Sequence, residues 1–491
     1  MVDNKKIARA TSWSMCAEIV AKLIAPITNM ILARILMPEA FGAVATITMI
    51  ISFADIFTDA GFQKYIIQHE FESKDEYYKS VNVAFWSNLV LSLTSVLIIF
   101  LFRNHLASLV GSPSLGIGMS VASLSIILSS FSSIQMSVYK REFDFKTLFL
   151  VRIVTSFIPL FVTVPLAIVY KNYWALVLGT LAMNLIQAIM LTMRSEWKPK
   201  LYYSFKKFKE MFSFTAWTLL ESISIWLTGY IGTFIVGRIL NDYYLGLYKT
   251  AMSTVNSYMN IITAGITPVL FSALSRYQND DVKFKSTYLK FQSLTADLIM
   301  PMGVGLFIFS RLATRILLGS NWSEAADFIG LWSLMSSVTI VYGFFSSEVY
   351  RSKGKPNISL LSQVIHLIVL APAIYISAKH GYEPLYITRS LVRIQGILVS
   401  VIFLSAMFKI GFIESLKNTF PQIVSSIVMG AAAYALKGLY PESIIWQFVT
   451  IAICVVIYFG LLMCFKRTRL EVLGIAMPMF LKLKNKLVKS R

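Results

Sequence analysis

The sequence predicts an all-α polytopic membrane protein with 14 transmembrane helices: two six-helix lobes in parallel pseudo-two-fold repeat, plus two C-terminal helices. Three observations predict this class. Of the 491 residues, 56% are hydrophobic and only 14% charged, where a soluble chain carries about 25% charged residues. Apolar runs of roughly 20 residues recur from end to end, the length that crosses a bilayer as a helix with its backbone satisfied. The alternating segments of about ten residues that mark a membrane β-barrel are absent. Finally, the chain echoes itself. Ala33–Thr46 reads ARILMPEAFGAVAT and Gly237–Thr250 reads GRILNDYYLGLYKT. Arg, Ile, Leu, Gly and Thr coincide at an offset of about 204, too long for a solenoid unit and suited to a duplicated half.

In chain order, the first six spans are expected at about 10–33, 42–66, 80–102, 115–138, 147–169 and 173–193. The next six fall at about 213–236, 244–274, 287–310, 325–349, 357–378 and 385–407, and the last two at about 419–436 and 442–465. The basic start, MVDNKKIAR, leads into the first run with no small-residue cleavage pattern, so it reads as a span rather than a removed signal peptide. The organisation that follows is an N-lobe (1–193), a cytoplasmic amphipathic linker (194–212), a C-lobe (213–407), two further helices (408–468) and a basic amphipathic tail (469–491). In the linker, Phe205, Phe208 and Phe212 share one helical face and Lys206, Lys207 and Lys209 lie elsewhere, the pattern of a helix resting in the membrane interface.

Two further echoes keep the same order. Leu109-Val110-Gly111-Ser112 matches Leu317-Leu318-Gly319-Ser320, and Val138-Tyr139-Lys140 matches Val349-Tyr350-Arg351. Six spans per half is an even number, so both halves enter the membrane in the same sense, related by an axis along the membrane normal.

Lys and Arg set the orientation. Lys5, Lys6, Arg9, Lys74, Lys79, Lys140, Arg141, Lys198, Lys200, Lys283, Lys285, Lys353 and Lys355 collect on one side, with the basic tail. The opposite loops hold few bases, so the first side is cytoplasmic and holds both termini. The same bias, with attraction to anionic lipid heads, accounts for the net charge of +20 without nucleic acid.

Chemistry-bearing motifs are missing. There is no phosphate-loop motif and no G-x-S-x-G elbow. The four histidines are scattered, and Cys16, Cys454 and Cys464 form neither a disulfide framework nor a metal site. No cofactor or metal is expected, and these absences favour a transporter over an enzyme.

Charges inside the spans are then the candidate functional residues, because they are costly in lipid and face a bundle interior or a watery cavity. Glu18 and Lys22 sit one turn apart in span 1 and suit an internal pair or a ligand. Asp55 and Asp59 share a face of span 2, for helix locking or proton coupling. Arg389 and Arg393 share a face of span 12 and require an anionic partner, either a carboxylate on another helix or an anionic substrate. Glu221, Lys249 and Asp297 lie in spans 7, 8 and 9; the two acids suit counter-ions or ion-coupling sites. Pro26 in span 1 and the Pro301-Gly303-Gly305 cluster in span 9 are the candidate hinges.

ARILMPEAFG (33–42), FADIFTDAGFQKYIIQ (53–68) and PMGVGLFIFSRLATRILLGSNW (301–322) carry a resemblance to the polysaccharide-transport branch of the multidrug/oligosaccharidyl-lipid/polysaccharide flippase superfamily. The second motif departs from the usual Asp-Leu-Gly form: Ile-Phe follows Asp55 and the Gly follows Asp59, so either acid can take the family's acidic position. The resemblance implies a bacterial inner-membrane flippase for polyprenyl-pyrophosphate-linked oligosaccharide repeat units, feeding capsule, exopolysaccharide, teichuronic acid or lipopolysaccharide assembly by alternating access. It implies a cationic cavity in which Lys22, Lys249, Arg389 and Arg393 meet the substrate, and a lipid-tail groove at spans 13 and 14. The implied partners are the lipid-linked oligosaccharide, membrane lipids, and polymerase or other assembly proteins. The alternatives are a multidrug exporter of the same superfamily and a membrane-embedded glycan polymerase or ligase. The first would want acids for cationic drugs, and the second a large extracytoplasmic loop that the sequence lacks.

Overall fold

The computed structural model describes residues 24–59, 61–440, 443–466 and 468–469. Every regular element among them is helical. In chain order these are α1 (Ile24–Ile35), α2 (Pro38–Asp59), α3 (Phe62–Gln68), α4 (Lys74–Leu109), α5 (Gly116–Arg141), α6 (Phe145–Ile158), α7 (Val164–Tyr170), α8 (Trp174–Arg194), α9 (Phe205–Ile239) and α10 (Asp242–Arg276). They continue as α11 (Asp281–Ile308), α12 (Ser310–Leu317), α13 (Ala326–Thr339), α14 (Ser346–Ser352), α15 (Pro356–Ala378), α16 (Tyr382–Phe408), α17 (Phe412–Asn418), α18 (Phe420–Leu439) and α19 (Ile444–Cys464). Thirteen helical segments among the described residues are long and apolar enough to cross a membrane, and α1 is a shorter apolar helix. The protein is an all-α, multi-pass membrane protein.

Side-chain caps fix where several helices begin. Ser73, Asp144, Asp280 and Ser443 accept from the backbone N–H three residues on, at 3.1, 3.1, 3.0 and 3.2 Å. Each satisfies a donor that the first helical turn leaves open. α4 has 36 residues, roughly 54 Å at 1.5 Å per residue, so it extends well beyond a hydrocarbon core of about 30 Å.

Two sequence expectations change. The second span is not one helix over 42–66: α2 stops at Asp59, Gly61 takes a left-handed φ of 78°, and α3 starts anew. The positive φ breaks the helical hydrogen-bond ladder, and glycine allows it without a Cβ clash. The linker is also more than a lipid anchor. Lys200 donates its backbone N–H to Asn82 Oδ1 (2.8 Å) and accepts from Trp86 Nε1 (2.8 Å), both on α4. Trp197 is buried, Phe208 packs toward Phe62, and the lysine-phenylalanine stretch forms the first turns of the continuous 35-residue α9.

The chain divides into two compact units. One contains the residues up to Thr250 with Leu317–Trp322 and Leu370–Leu385; the other contains Ala251–Ile316, Ser323–Val369 and the residues from Tyr386 onward. Within the first unit the echoed motifs meet. A Cβ on Gly42 of α2 would strike the Asp242 carbonyl and lie 2.9 Å from Gly246 N; one on Gly246 of α10 would strike the Pro38 carbonyl and lie 3.1 Å from Gly42 N. The two helices therefore cross backbone to backbone, at the glycines that the motif repeats. The Gly-Ser loops are reciprocal. Gly111 of the first copy lies against Gly237 and Arg238, whereas Gly319 of the second lies against Arg34. Arg238 donates to the carbonyls of Ser108 (3.0 Å) and Leu109 (2.9 Å), and Ser112 donates to Asp242 Oδ1 (2.7 Å). On the other side Trp322 donates Nε1–H to the Ala33 carbonyl (2.7 Å). The loop of each echoed motif thus docks on the turn of the other.

Candidate functional site

In the first unit, α2, α5, α8 and α9 enclose a polar cavity of about 410 Å³. Asp55 and Thr58 come from α2, Lys64 from α3, Asn88 from α4, Ser129, Ser132 and Ser133 from α5, Asn184 and Gln187 from α8, and Ser222 from α9. Hydroxyls dominate because α5 carries eight serines between Ser120 and Ser137. A serine is tolerable in a membrane helix because its hydroxyl can donate to a carbonyl one turn back. Ser132 donates to Leu128 O and Ser133 to Ser130 O (3.3 and 3.4 Å). Ser129 reaches Asp55 Oδ1 at 3.4 Å, and Asn88 Nδ2 donates to Ser133 Oγ at 2.7 Å. The wall thus presents oxygens and amides, with one carboxylate and one ammonium.

An aromatic run continues from this wall. Trp226 donates Nε1–H to Ser52 Oγ (3.0 Å), lies beside Phe53 (4.7 Å between centroids) and stacks on Tyr230 (5.4 Å). The Lys249 ammonium stands 4.9 Å from the Tyr230 ring centroid. Lys249 is therefore linked, through Tyr230 and Trp226, to Ser52, which lines the cavity together with Asp55, a run the sequence did not suggest.

The second unit holds the paired bases. Arg389 and Arg393 lie one turn apart on α16, with guanidinium carbons 5.0 and 3.7 Å from the ring centroid of fully buried Trp332 on α13. Arg393 donates to Ser336 Oγ at 2.6 Å, and Trp332 donates to Asn256 Oδ1 at 3.2 Å. An indole face attracts guanidinium without neutralising it, worth roughly 0.5–2 kcal/mol per contact. His366 follows on α15, its Nδ1 2.8 Å from Gln395 Oε1.

Of the other expected residues, Asp297 is buried on α11 and accepts from Gln422 Nε2 of α18 at 2.7 Å. Gly303 lies where a Cβ would strike Ser337, so it also lets α11 approach α13 closely; Gly305 faces open space. Pro301 sits inside α11 and Pro26 near the start of α1. Glu18 and Lys22 lie outside the described residues. Asp59 and Glu221 belong to α2 and α9, but their side chains lie outside what is described. Among the described residues no three His, Cys, Asp or Glu stand together for a metal. Trp332 and the α5 serines were not singled out from sequence. The serine density was the available signal, whereas a lone Trp in an apolar run gives none.

The profile of the polysaccharide biosynthesis protein family matches residues 31–327, more than half of the chain. The chain belongs to this family. Among curated relatives it is similar to the succinoglycan biosynthesis transport protein ExoT of Rhizobium meliloti (strain 1021), 24% identical, covering 69% of this chain and 67% of that protein. It is also similar to the lipopolysaccharide biosynthesis protein WzxC of Escherichia coli (strain K12), 22% identical over 77% of this chain and 76% of that one. Among solved structures, the fold matches the lipid II flippase MurJ in an inward closed conformation, with a TM-score of 0.75, 16% identity and coverage of 93% and 99%. A multidrug-resistance MATE transporter matches at a TM-score of 0.62, with 13% identity and coverage of 79% and 94%. The family resemblance read from the motifs, to polysaccharide-transport proteins, is borne out.

Proposed function

We propose that this member of the polysaccharide biosynthesis protein family is a flippase that moves polyprenyl-pyrophosphate-linked oligosaccharide repeat units across the bacterial inner membrane. The observation that carries this reading is the Arg389–Arg393 pair against Trp332. A pyrophosphate needs two or more strong donors, and guanidinium supplies them in a planar fork. The indole lies beside both forks, and two guanidinium groups one turn apart favour an anion over a cationic drug, which disfavours the exporter alternative. Lys249, and Lys22 on the sequence reading, are further bases suited to an anionic substrate. The hydroxyl- and amide-lined cavity suits sugar hydroxyls, and the prenyl tail can stay in lipid. No bond is made or broken, so the work is alternating exposure of the site, with Pro301 and Gly305 loosening α11. Both termini face the cytoplasm in this arrangement, and polymerase or other assembly proteins would take the product. Relatives named for succinoglycan transport and lipopolysaccharide biosynthesis fit this role.

The deciding experiment is reconstitution in vesicles with a lipid-linked saccharide. Arg389→Ala with Arg393→Ala should cut flipping by about tenfold or more, since each lost charged hydrogen bond costs about 1.5–3 kcal/mol. The paired Lys variants should recover only part, lacking the fork. Undiminished flipping by the double Ala variant, correctly inserted, would sink the assignment.

A further inference from the structure

A second cavity, of about 260 Å³, lies in the first unit between α5, α6 and α8. Val154 and Phe157 of α6 and Ile189 and Met193 of α8 are exposed, so the surface around it is one that lipid covers. The walls divide by chemistry. Phe145, Leu148, Phe149 and Leu191 are apolar, whereas Lys140 of α5 and Arg152 of α6 supply two bases. None of the described residues that line it is acidic, and among the described residues neither base makes an ion pair. The nearby Asp144 carboxylate is occupied in capping α6: it accepts from Thr147 N at 3.1 Å and Thr147 Oγ1 at 2.6 Å. Arg152 is exposed and stands seven residues past Phe145, about 10 Å along the helix at 1.5 Å per residue. At that depth a guanidinium reaches outward to the headgroup layer and calls for an anion.

Two bases beside an apolar wall, at the end of a membrane helix bundle, complement a phosphate carried on an acyl chain. On the orientation expected from the Lys and Arg distribution, this end faces the cytoplasmic leaflet, where anionic lipid collects. Size narrows the ligand. Pockets that bury a drug-sized molecule run from roughly 300 to 1,000 Å³, so about 260 Å³ holds a lipid headgroup but no oligosaccharide. We propose that α5, α6 and α8 form a binding site for one anionic phospholipid, with its phosphate on Lys140 and Arg152 and the start of a chain along Phe145, Leu148 and Phe149. Met136 and Gln187 line both this pocket and the serine-lined cavity, with Gln187 Nε2 3.8 Å from Met136 Sδ. A lipid seated here rests on the outer side of that shared wall. The site stands apart from the transport reading, since neither base belongs to the substrate set.

The test uses the delipidated full-length protein in detergent and reads the unfolding midpoint against added dioleoyl phosphatidylglycerol, dioleoyl phosphatidylcholine or inorganic phosphate. Wild type should gain several degrees more from phosphatidylglycerol than from phosphatidylcholine, by linkage of binding to folding, and little from inorganic phosphate. Lys140→Gln with Arg152→Gln should remove the preference for phosphatidylglycerol and keep the response to phosphatidylcholine. Arg152→Lys, which keeps the charge, should retain most of the preference. Should the double variant fail to fold, Arg152→Gln alone, at an exposed position, should weaken the apparent phosphatidylglycerol affinity several-fold. Lys206→Gln with Lys209→Gln removes the same charge from α9 and should keep the preference. Equal gains from the two lipids overturn the site, as does a preference that survives in both Gln variants at Arg152. A gain that inorganic phosphate reproduces alone means a free-anion site and overturns the lipid. A preference lost equally in the α9 variant means net charge alone, and overturns it too.

Discussion

Trp332 is the side chain whose ring lies beside both arginines. Its ring faces Arg393 at 3.7 Å and Arg389 at 5.0 Å, and its nitrogen is tied to Asn256. Trp332→Phe should retain a weaker cation–π face but lose the tie, lowering flipping less than Trp332→Ala does. Equal rates for both variants in the vesicle assay would mean that the ring does not set the arginines. In the other unit, Asp55→Asn removes the carboxylate of the serine-lined cavity while keeping its volume. It should reduce turnover of a sugar-bearing substrate more than that of the bare prenyl pyrophosphate. At this scale the sequence was legible for charges and illegible for their partners. Arg389 and Arg393 stand out in an apolar run because charge in lipid is costly. Trp332, Asn256 and Ser336 do not, since each is ordinary in a membrane helix until its neighbour across the bundle is known.

Among elements, the α2–α10 crossing is the tightest place described. Gly42→Leu should destabilise the fold by more than the roughly 1–3 kcal/mol of ordinary overpacking, because the obstacle is backbone rather than a movable side chain. Yield of folded protein and detergent melting check this. The start of α11 offers a pH test. The Asp280 carboxyl is held below the usual range, first by the Lys283 backbone N–H and then by the Lys283 side chain. A folded pKa below the unfolded one means that the cap contributes above the ordinary Asp range and is lost as pH falls through the lowered value. The protection of the Lys283 amide, taken relative to its intrinsic exchange rate at each pH, should fall in acid, and should be low at every pH in Asp280→Ala. Most helices were legible from apolar length alone. The break at Gly61 was not, since membrane helices tolerate glycine. Nor was the docking of residues 195–204, which depends on Asn82 and Trp86 more than 100 positions earlier.

For the molecule as a whole, duplication is the expectation that organises the sequence reading. It is read from ARIL and GRIL, which keep their trailing glycines at the same spacing; in the structure these echoed motifs pack against one another within the first unit. If transport requires the halves to part at this place, Ser112→Cys with Asp242→Cys, in a chain freed of its own three cysteines, should form a bond on oxidation. Flipping should then stop and return with reductant. Continued flipping by the fully oxidised protein would place the moving boundary elsewhere.

The serine wall of α5 has a consequence for speed. Hydroxyls that already donate to their own helix offer an arriving sugar lone pairs, not protons. Such a surface accepts from many sugars alike, demands no desolvation of an unpaired donor, and releases its guest without leaving a broken bond behind. A carrier built this way holds its cargo lightly. On the proposed function such a wall would tolerate variation in the glycan and leave selection among cargoes to the paired arginines.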